Sequence, residues 1–300
     1  MNYFRLMLLL GAFTLTAGFG YVSNTTKSVV STIIQDEKLP QVKKVLPLNR
    51  KNFTFSVNNI SFEMIFVEGG EFVMGCTQEQ SDCFNNEKPA HKVSLSDFYM
   101  AKYPITQKLW YVVMGSSIQQ QRSLSERNTL CGEGDDYPMY FINYEECEAF
   151  CTKLNKLLSD KLPEGYKFKL PTEAQWEHAA RGGRRSNGYR YSGGNGLNNF
   201  AWNYDNSNKT THSVGKKMPN ELGIYDMSGN VWEWCSDWYD VNYYGISPLI
   251  DPKGPDSGTL RVMRGGAWNE PAARCRVSNR GSSASYRLNR IGFRICLAAE

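Results

Sequence analysis

From Gly183 to Glu300 the chain offers only short apolar runs, set among dense Gly, Asn, Ser, Tyr and Trp, and no long amphipathic helix. A stretch of this kind folds with much irregular backbone. Its stability then has to come from buried aromatics, buried polar networks, ions or disulfides rather than from long ladders of regular structure. No internal repeat is present, which excludes a stacked-repeat architecture.

Regular structure is expected mainly before that stretch. Phe53 to Val57 alternates as a strand, Asn58-Asn59 signals a turn, and Ile60 to Val67 resumes the strand, so a hairpin is expected. Glu71 to Gly75 and Val93 to Tyr99 read as further strands. Thr106 to Met114 has a threonine cap after Pro104 and a stop at Gly115, the pattern of a helix. Asn143 to Leu158 adds a capping Asn, an acidic first turn and apolar spacing at Ala149, Phe150, Leu154, Leu157 and Leu158. A third helix starts at Thr172 after Pro171 and stops at Gly182-Gly183.

Leu6 to Phe19 is apolar behind Arg5, with small residues at Thr16, Ala17, Gly18 and Gly20, so residues 1–20 read as a secretory signal peptide. The run falls short of the roughly 20 residues a membrane helix needs, and no Cys follows it before Cys76 to carry a lipid, so membrane attachment is expected only through an uncleaved signal, if at all. Residues 21–52 read as a linker, and residues 53–300 as one domain. The expected location is periplasmic, cell-surface or extracellular. The net charge of +4 is spread without a Lys/Arg block, so no nucleic-acid partner is expected.

Eight cysteines, Cys76, Cys83, Cys131, Cys147, Cys151, Cys235, Cys275 and Cys296, form no CxxC pair. An even number in an exported chain favours disulfides over metal. The three histidines, His91, His178 and His212, are too scattered for a histidine-built zinc or iron site. Trp176, Trp232, Trp234, Trp238 and Trp268 read as core fillers, each needing a partner for its indole N–H. Arg181 and Arg294 are expected to pair with buried carboxylates such as Glu177 or Glu233.

Motifs recur in a fixed order along the chain: Val67-Glu68-Gly69-Gly70 to Gly75, Glu87-Lys88-Pro89 to Val93, Tyr103-Pro104-Ile105-Thr106, and Leu170-Pro171-Thr172-Glu173 to Gly183. They continue with Gly223 to Trp234, Arg264-Gly265-Gly266-Ala267-Trp268-Asn269, Cys275-Arg276-Val277 and Ile291-Gly292-Phe293-Arg294. Together these resemble the formylglycine-generating-enzyme (sulfatase-modifying factor) domain family over roughly residues 53 to 299. The resemblance implies a single α+β domain of C-type-lectin-like topology, low in regular secondary structure.

Oxidases of that family bind Cu(I) through two thiolates, a soft donor pair suited to the metal. Counted without gaps, their first cysteine position is Glu270 and the second is Cys275; aligned on the downstream Arg-Val pattern, both positions lose their cysteine. Either way the pair is incomplete, and copper is not expected. If the chain were an oxidase making formylglycine in sulfatases, Cys275 would be its catalytic thiol, and Trp232, Trp268 and Asn269 would line a groove for an extended peptide.

The resemblance also maps a calcium site onto the side chains of Asp226 and Glu233 and the carbonyls of Gly229 and Val231, the oxygen-rich irregular loop calcium requires. It suggests disulfides Cys235–Cys275 and Cys151–Cys296, with Cys235 and Cys275 alternatively a reactive dithiol or Cu(I) pair. Cys76 and Cys83 are expected to close a short loop, and Cys131 and Cys147 remain by elimination. The family's further disulfide has neither partner, its positions being Ala179 and Val277.

The leading expectation is an exported, non-catalytic binding or assembly module whose partner is an envelope protein, an extended peptide or a glycan. The tract Arg280 to Arg290, rich in Tyr, Ser and Arg, has the composition of a binding surface. The other expectations are the copper-dependent oxidase and a calcium-dependent small-molecule or glycan binder.

Overall fold

The computed structural model describes residues 50–125 and 129–300. The signal-peptide reading and most of the linker reading therefore lie outside the described residues. Along the chain come strands β1 (Phe53–Val57), β2 (Ile60–Val67), β3 (Gly70–Met74), β4 (His91–Leu95) and β5 (Phe98–Ala101). Helices α1 (Gln107–Met114), α2 (Ile118–Ser123) and α3 (Tyr144–Leu157) follow, then β6 (Tyr166–Lys169), α4 (Glu173–Ala180) and α5 (Leu197–Phe200). The last third holds β7 (Trp232–Trp238), β8 (Arg261–Arg264), β9 (Arg280–Ser283), β10 (Ile291–Gly292) and β11 (Cys296–Ala299).

Three sheets result. The largest has the order β1-β2-β5-β11-β6, antiparallel throughout. The second has the order β10-β7-β8-β9, with β10 parallel to β7. The third is the pair β3-β4. The terminal strand β11 lies between β5 and β6, so the end of the chain completes the sheet that β1 and β2 begin.

Local chemistry accounts for the regular parts. Asn58 and Asn59 both take positive φ, 46° and 66°, the conformation a two-residue hairpin loop needs. Thr106 caps α1 by accepting from Leu109 N at 3.2 Å, and Gly115 ends it at φ 80°. Asn143 with Glu146, and Thr172 with Gln175, form reciprocal capping boxes at α3 and α4. The helix α2 escaped the sequence reading although Ser117 and Gln120 form the same box.

One expected strand is two. Between β4 and β5 the chain breaks at Ser96-Asp97: Ser96 N and Oγ donate to Asp251, and Asp97 accepts from Gly69 N. The break sends β4 into the small sheet and β5 into the large one.

Two apolar clusters fill the interior. One lies between the large sheet and α1 and α3, around Trp110, Phe150, Phe293 and Trp234. The other surrounds α4, around Trp176, Phe98, Val262 and Cys235. Trp238 is the exception among the expected fillers: it is half-buried, with Arg261 stacked 3.4 Å from its ring centre. Among the described residues no helix is long and apolar enough to cross a membrane.

Candidate functional site

Four arginines with no appreciable exposure, Arg264, Arg276, Arg280 and Arg294, stand against four buried glutamates. Arg276 grips Glu87 at 2.5 and 2.6 Å, Arg280 grips Glu173 at 2.7 and 2.8 Å, and Arg264 meets Glu177. Arg294 holds Glu233. Arg181 pairs with Glu177 at 2.8 Å, one helical turn away on α4. Burial pushes Glu87 up, but hydrogen bonds from Arg276 and Ser278 outweigh it and hold the carboxyl below its usual range. Burial acts likewise on Glu173, and Arg280 and Arg264 overcome it. Since buried charge is costly unless paired, this network fixes the irregular C-terminal third in one arrangement.

On that frame sits the segment Arg264 to Cys275. Gly265 and Gly266 have φ of 97° and 76°. A Cβ on Gly266 would lie 2.8 Å from both Cys275 Sγ and Arg274 O, so the glycine lets the chain pass over the thiol. Trp268 N donates to Asn230 O at 2.9 Å and its indole to Asn289 O at 3.1 Å. Trp232 donates its indole N–H to Glu270 Oε1 at 3.1 Å. Trp232 and Trp268 are only 2% and 8% exposed, so they present edges beneath the surface instead of walling an open groove. Asn269 is half-buried, and its Oδ1 is buried without a partner.

Glu270 and Cys275 do not make a copper site. Cys275 is fully buried, and burial, with Glu270 and Asp205 adding to it, pushes its thiol far above the range in which it ionises. Glu270 offers a hard carboxylate already engaged by Trp232. One thiol and one hard carboxylate do not make the soft two-thiolate pair that suits Cu(I).

One cysteine expectation holds and the others need correction. Cys76 and Cys83 are bonded, closing the short loop. Cys131, Cys147, Cys151, Cys235, Cys275 and Cys296 are buried free thiols. Cys235 packs around α4 with Val277 and Cys296, whereas Cys275 lies under Gly266. Cys147 Sγ donates to Asn143 O at 3.2 Å, and Cys131 Sγ accepts from Asn289 at 3.2 Å. Cys151 and Cys296 lie within electrostatic reach of each other, unbonded.

The residues expected to hold calcium are together but largely committed. Both oxygens of Glu233 are taken: Oε2 by Arg294 Nε and by the Trp176 indole, each at 2.6 Å, and Oε1 by Arg294 Nη2 at 2.8 Å. Asp226, at φ 57°, accepts from Gly215 N at 2.7 Å, and burial raises its carboxyl to about 6. With Glu233 neutralised by Arg294, the set Asp226, Gly229, Val231 and Glu233 does not fit a calcium ion in this arrangement.

Sequence reasoning missed the segment that faces Glu270. Tyr204 N donates to Glu270 O at 3.0 Å, and Ser207 Oγ donates to Trp268 O at 2.8 Å, so residues 203–207 run alongside 268–270. The family resemblance marks residues 201–213 only as the stretch of a second family calcium site, with no residue assigned to it. The expected surface tract is also narrower than its sequence: Arg280 is core, paired with Glu173, while Tyr286 is 64% exposed.

A family model described as "Sulfatase-modifying factor enzyme 1-like domain" matches residues 52–299. The chain is 32% identical over 250 residues to the serine/threonine-protein kinase pkn1 of Chlamydia pneumoniae, covering 77% of this chain but only 37% of the kinase. It is 33% identical to the chaperone protein LppX of Paenibacillus barcinonensis, covering 70% of this chain and 79% of that protein. It is 28% identical to the formylglycine-generating enzyme of Streptomyces coelicolor, covering 77% and 88%. Among solved structures, Treponema denticola variable protein 1 superposes with a TM-score of 0.69 at 31% identity, covering 82% of this chain and 98% of that one.

Proposed function

Because the chain belongs to the sulfatase-modifying factor enzyme 1-like family, we propose that it is an exported, non-catalytic member, a binding or assembly module of the cell envelope. The observation that carries this reading is the donor set at the family's copper position: Glu270, bonded to Trp232, and Cys275, buried beneath Gly266. The chain keeps the frame around that position and lacks the chemistry. Similarity to proteins named a chaperone and a variable protein supports a scaffold that serves purposes other than oxidation.

The surface offered to a partner lies around the same segment. Tyr204 and Tyr286 are each 64% exposed, and Trp268 links the two sides through Asn289. Exposed tyrosines on a rigid frame give contact area at low entropic cost. The candidate partner is an envelope protein, an extended peptide or a glycan.

Two measurements on the full chain test this reading. Cu(I) titration against a competing chelator is expected to show no tight uptake, and cross-linking in envelopes with a photoreactive group at Tyr286 is expected to give a discrete adduct lost in Tyr204→Ala. Stoichiometric tight Cu(I) binding would restore the oxidase reading.

A further inference from the structure

A cavity of about 190 Å³ is lined by Arg50, Phe66, Glu68, Arg184, Arg185 and Leu222. Its charged residues are three arginines and one glutamate. Arg50 meets Glu68 at 3.2 Å, so those two charges offset each other. Glu221, next to Leu222 in the chain, accepts from Asn187 N at 3.1 Å and from its Nδ2 at 3.3 Å. Arg184 and Arg185 are exposed, and among the described residues neither has a hydrogen-bond or ion-pair partner. Local backbone puts them there. Gly182 and Gly183, at φ 92° and 57°, turn the chain after α4, and the two arginines follow at once. Gly70, at φ 123°, leaves room for the first of them: a Cβ there would lie 2.7 Å from Arg184 Nη1 and 3.4 Å from its Cδ.

Two uncommitted guanidiniums in one cavity repel each other, and an anion between them relieves that repulsion. The planar fork of arginine matches carboxylate and phosphate alike. A carboxylate has two oxygens and fills one fork, whereas a phosphate has oxygens enough for two. We propose that Arg184 and Arg185 bind a phosphate-class oxyanion, carried by a ligand whose adjoining carbons rest on Phe66 and Leu222. Those two side chains are half-buried, and they give the cavity an apolar wall beside the charged one. The inference does not rest on the binding-module reading, because Tyr204 and Tyr286 are not among the residues lining this cavity.

Isothermal titration calorimetry of the full chain tests it, at roughly 0.15 M salt so that diffuse attraction between exposed charges is screened. Two probes separate the sources of such a group: inorganic phosphate, and glycerophosphoglycerol, the water-soluble headgroup of an acidic phospholipid. Tighter binding of the first assigns the site to a free phosphate or phosphate monoester, and tighter binding of the second to a lipid headgroup; either supports it. Arg184→Gln and Arg185→Gln should each weaken the tighter probe about tenfold or more. Lys153→Gln makes the same charge change at an exposed lysine of α3 and should leave binding unchanged. All three residues are exposed, so the variants are expected to fold, with circular dichroism as the check. No saturable binding of either probe, acetate binding as tightly, affinity unchanged in both arginine variants, or an equal loss in Lys153→Gln would overturn the proposal.

Discussion

Arg294 Nε and Nη2 donate to the two oxygens of Glu233 at 2.6 and 2.8 Å, and neither side chain has appreciable exposure. Glu233 lies on β7, and Arg294 follows β10, so the pair ties the parallel edge of the second sheet to its neighbour. Arg294 also donates to Ala101 O at 2.9 Å, reaching the end of β5 in the large sheet. One buried guanidinium thus joins the two sheets.

Glu233→Gln is expected to destabilise the chain by about 3–5 kcal/mol, because it leaves Arg294 buried without its counter-charge. Replacing both residues with apolar ones of similar volume should cost less than the sum of the single changes. Urea unfolding of the four proteins measures this.

Stability should also report Asp237. It accepts from Glu173 N at 2.8 Å, and burial, with the neighbouring Glu173 charge, raises its carboxyl to about 7 from 3.8. Between roughly pH 4 and pH 7 the folded chain keeps a proton that the unfolded chain has released. Stability from this group is therefore complete below the lower value and is lost as pH rises through the upper one. Asp237→Asn should unfold at higher urea than the parent at pH 8 and at about the same urea near pH 3.5. Glu87 and Glu173, held below their usual range, act oppositely: their contribution is present above about pH 4.5 and is lost as pH falls.

The thiols give a chemical test of the core. With Cys76–Cys83 bonded and the other six cysteines buried, alkylation without reductant should label none in the native chain and six after unfolding. Peptide mapping by mass spectrometry would read a Cys235–Cys275 or Cys151–Cys296 bridge directly as missing label.

Gly266 permits the passage over Cys275. Gly266→Ala would place a Cβ 2.8 Å from the thiol and from Arg274 O at a φ of 76°. It should destabilise by about 1–3 kcal/mol. Pairing it with Cys275→Ala should recover only part of that loss, because the Arg274 carbonyl remains in the way.

What the sequence revealed was local or carried by ordered motifs. Asn58-Asn59, Thr106, Asn143 and Thr172 act on backbone within four residues, so the hairpin and three helices were legible at those positions. The family resemblance carried the fold, and the matched model spans residues 52–299. The break at Ser96 was not legible, because its cause, Asp251, is remote in the chain. The partner of Glu270 was hidden likewise, since Tyr204 reaches it only through tertiary structure. An even count of cysteines carries no geometry: the short loop closes through Cys76–Cys83, while the bridges suggested by the resemblance are free thiols. The pairings of Arg264, Arg276 and Arg280 were not legible, because Glu177, Glu87 and Glu173 are remote in the chain.

The most direct test of the central claim is the oxidase reaction itself. The full chain, supplied with Cu(I), oxygen, a thiol reductant and a sulfatase-derived cysteine peptide, is followed by mass spectrometry of the peptide. The donor set of the hard Glu270 carboxylate and a fully buried Cys275 predicts that the peptide keeps its cysteine. Conversion to formylglycine above the copper-only control would contradict the account.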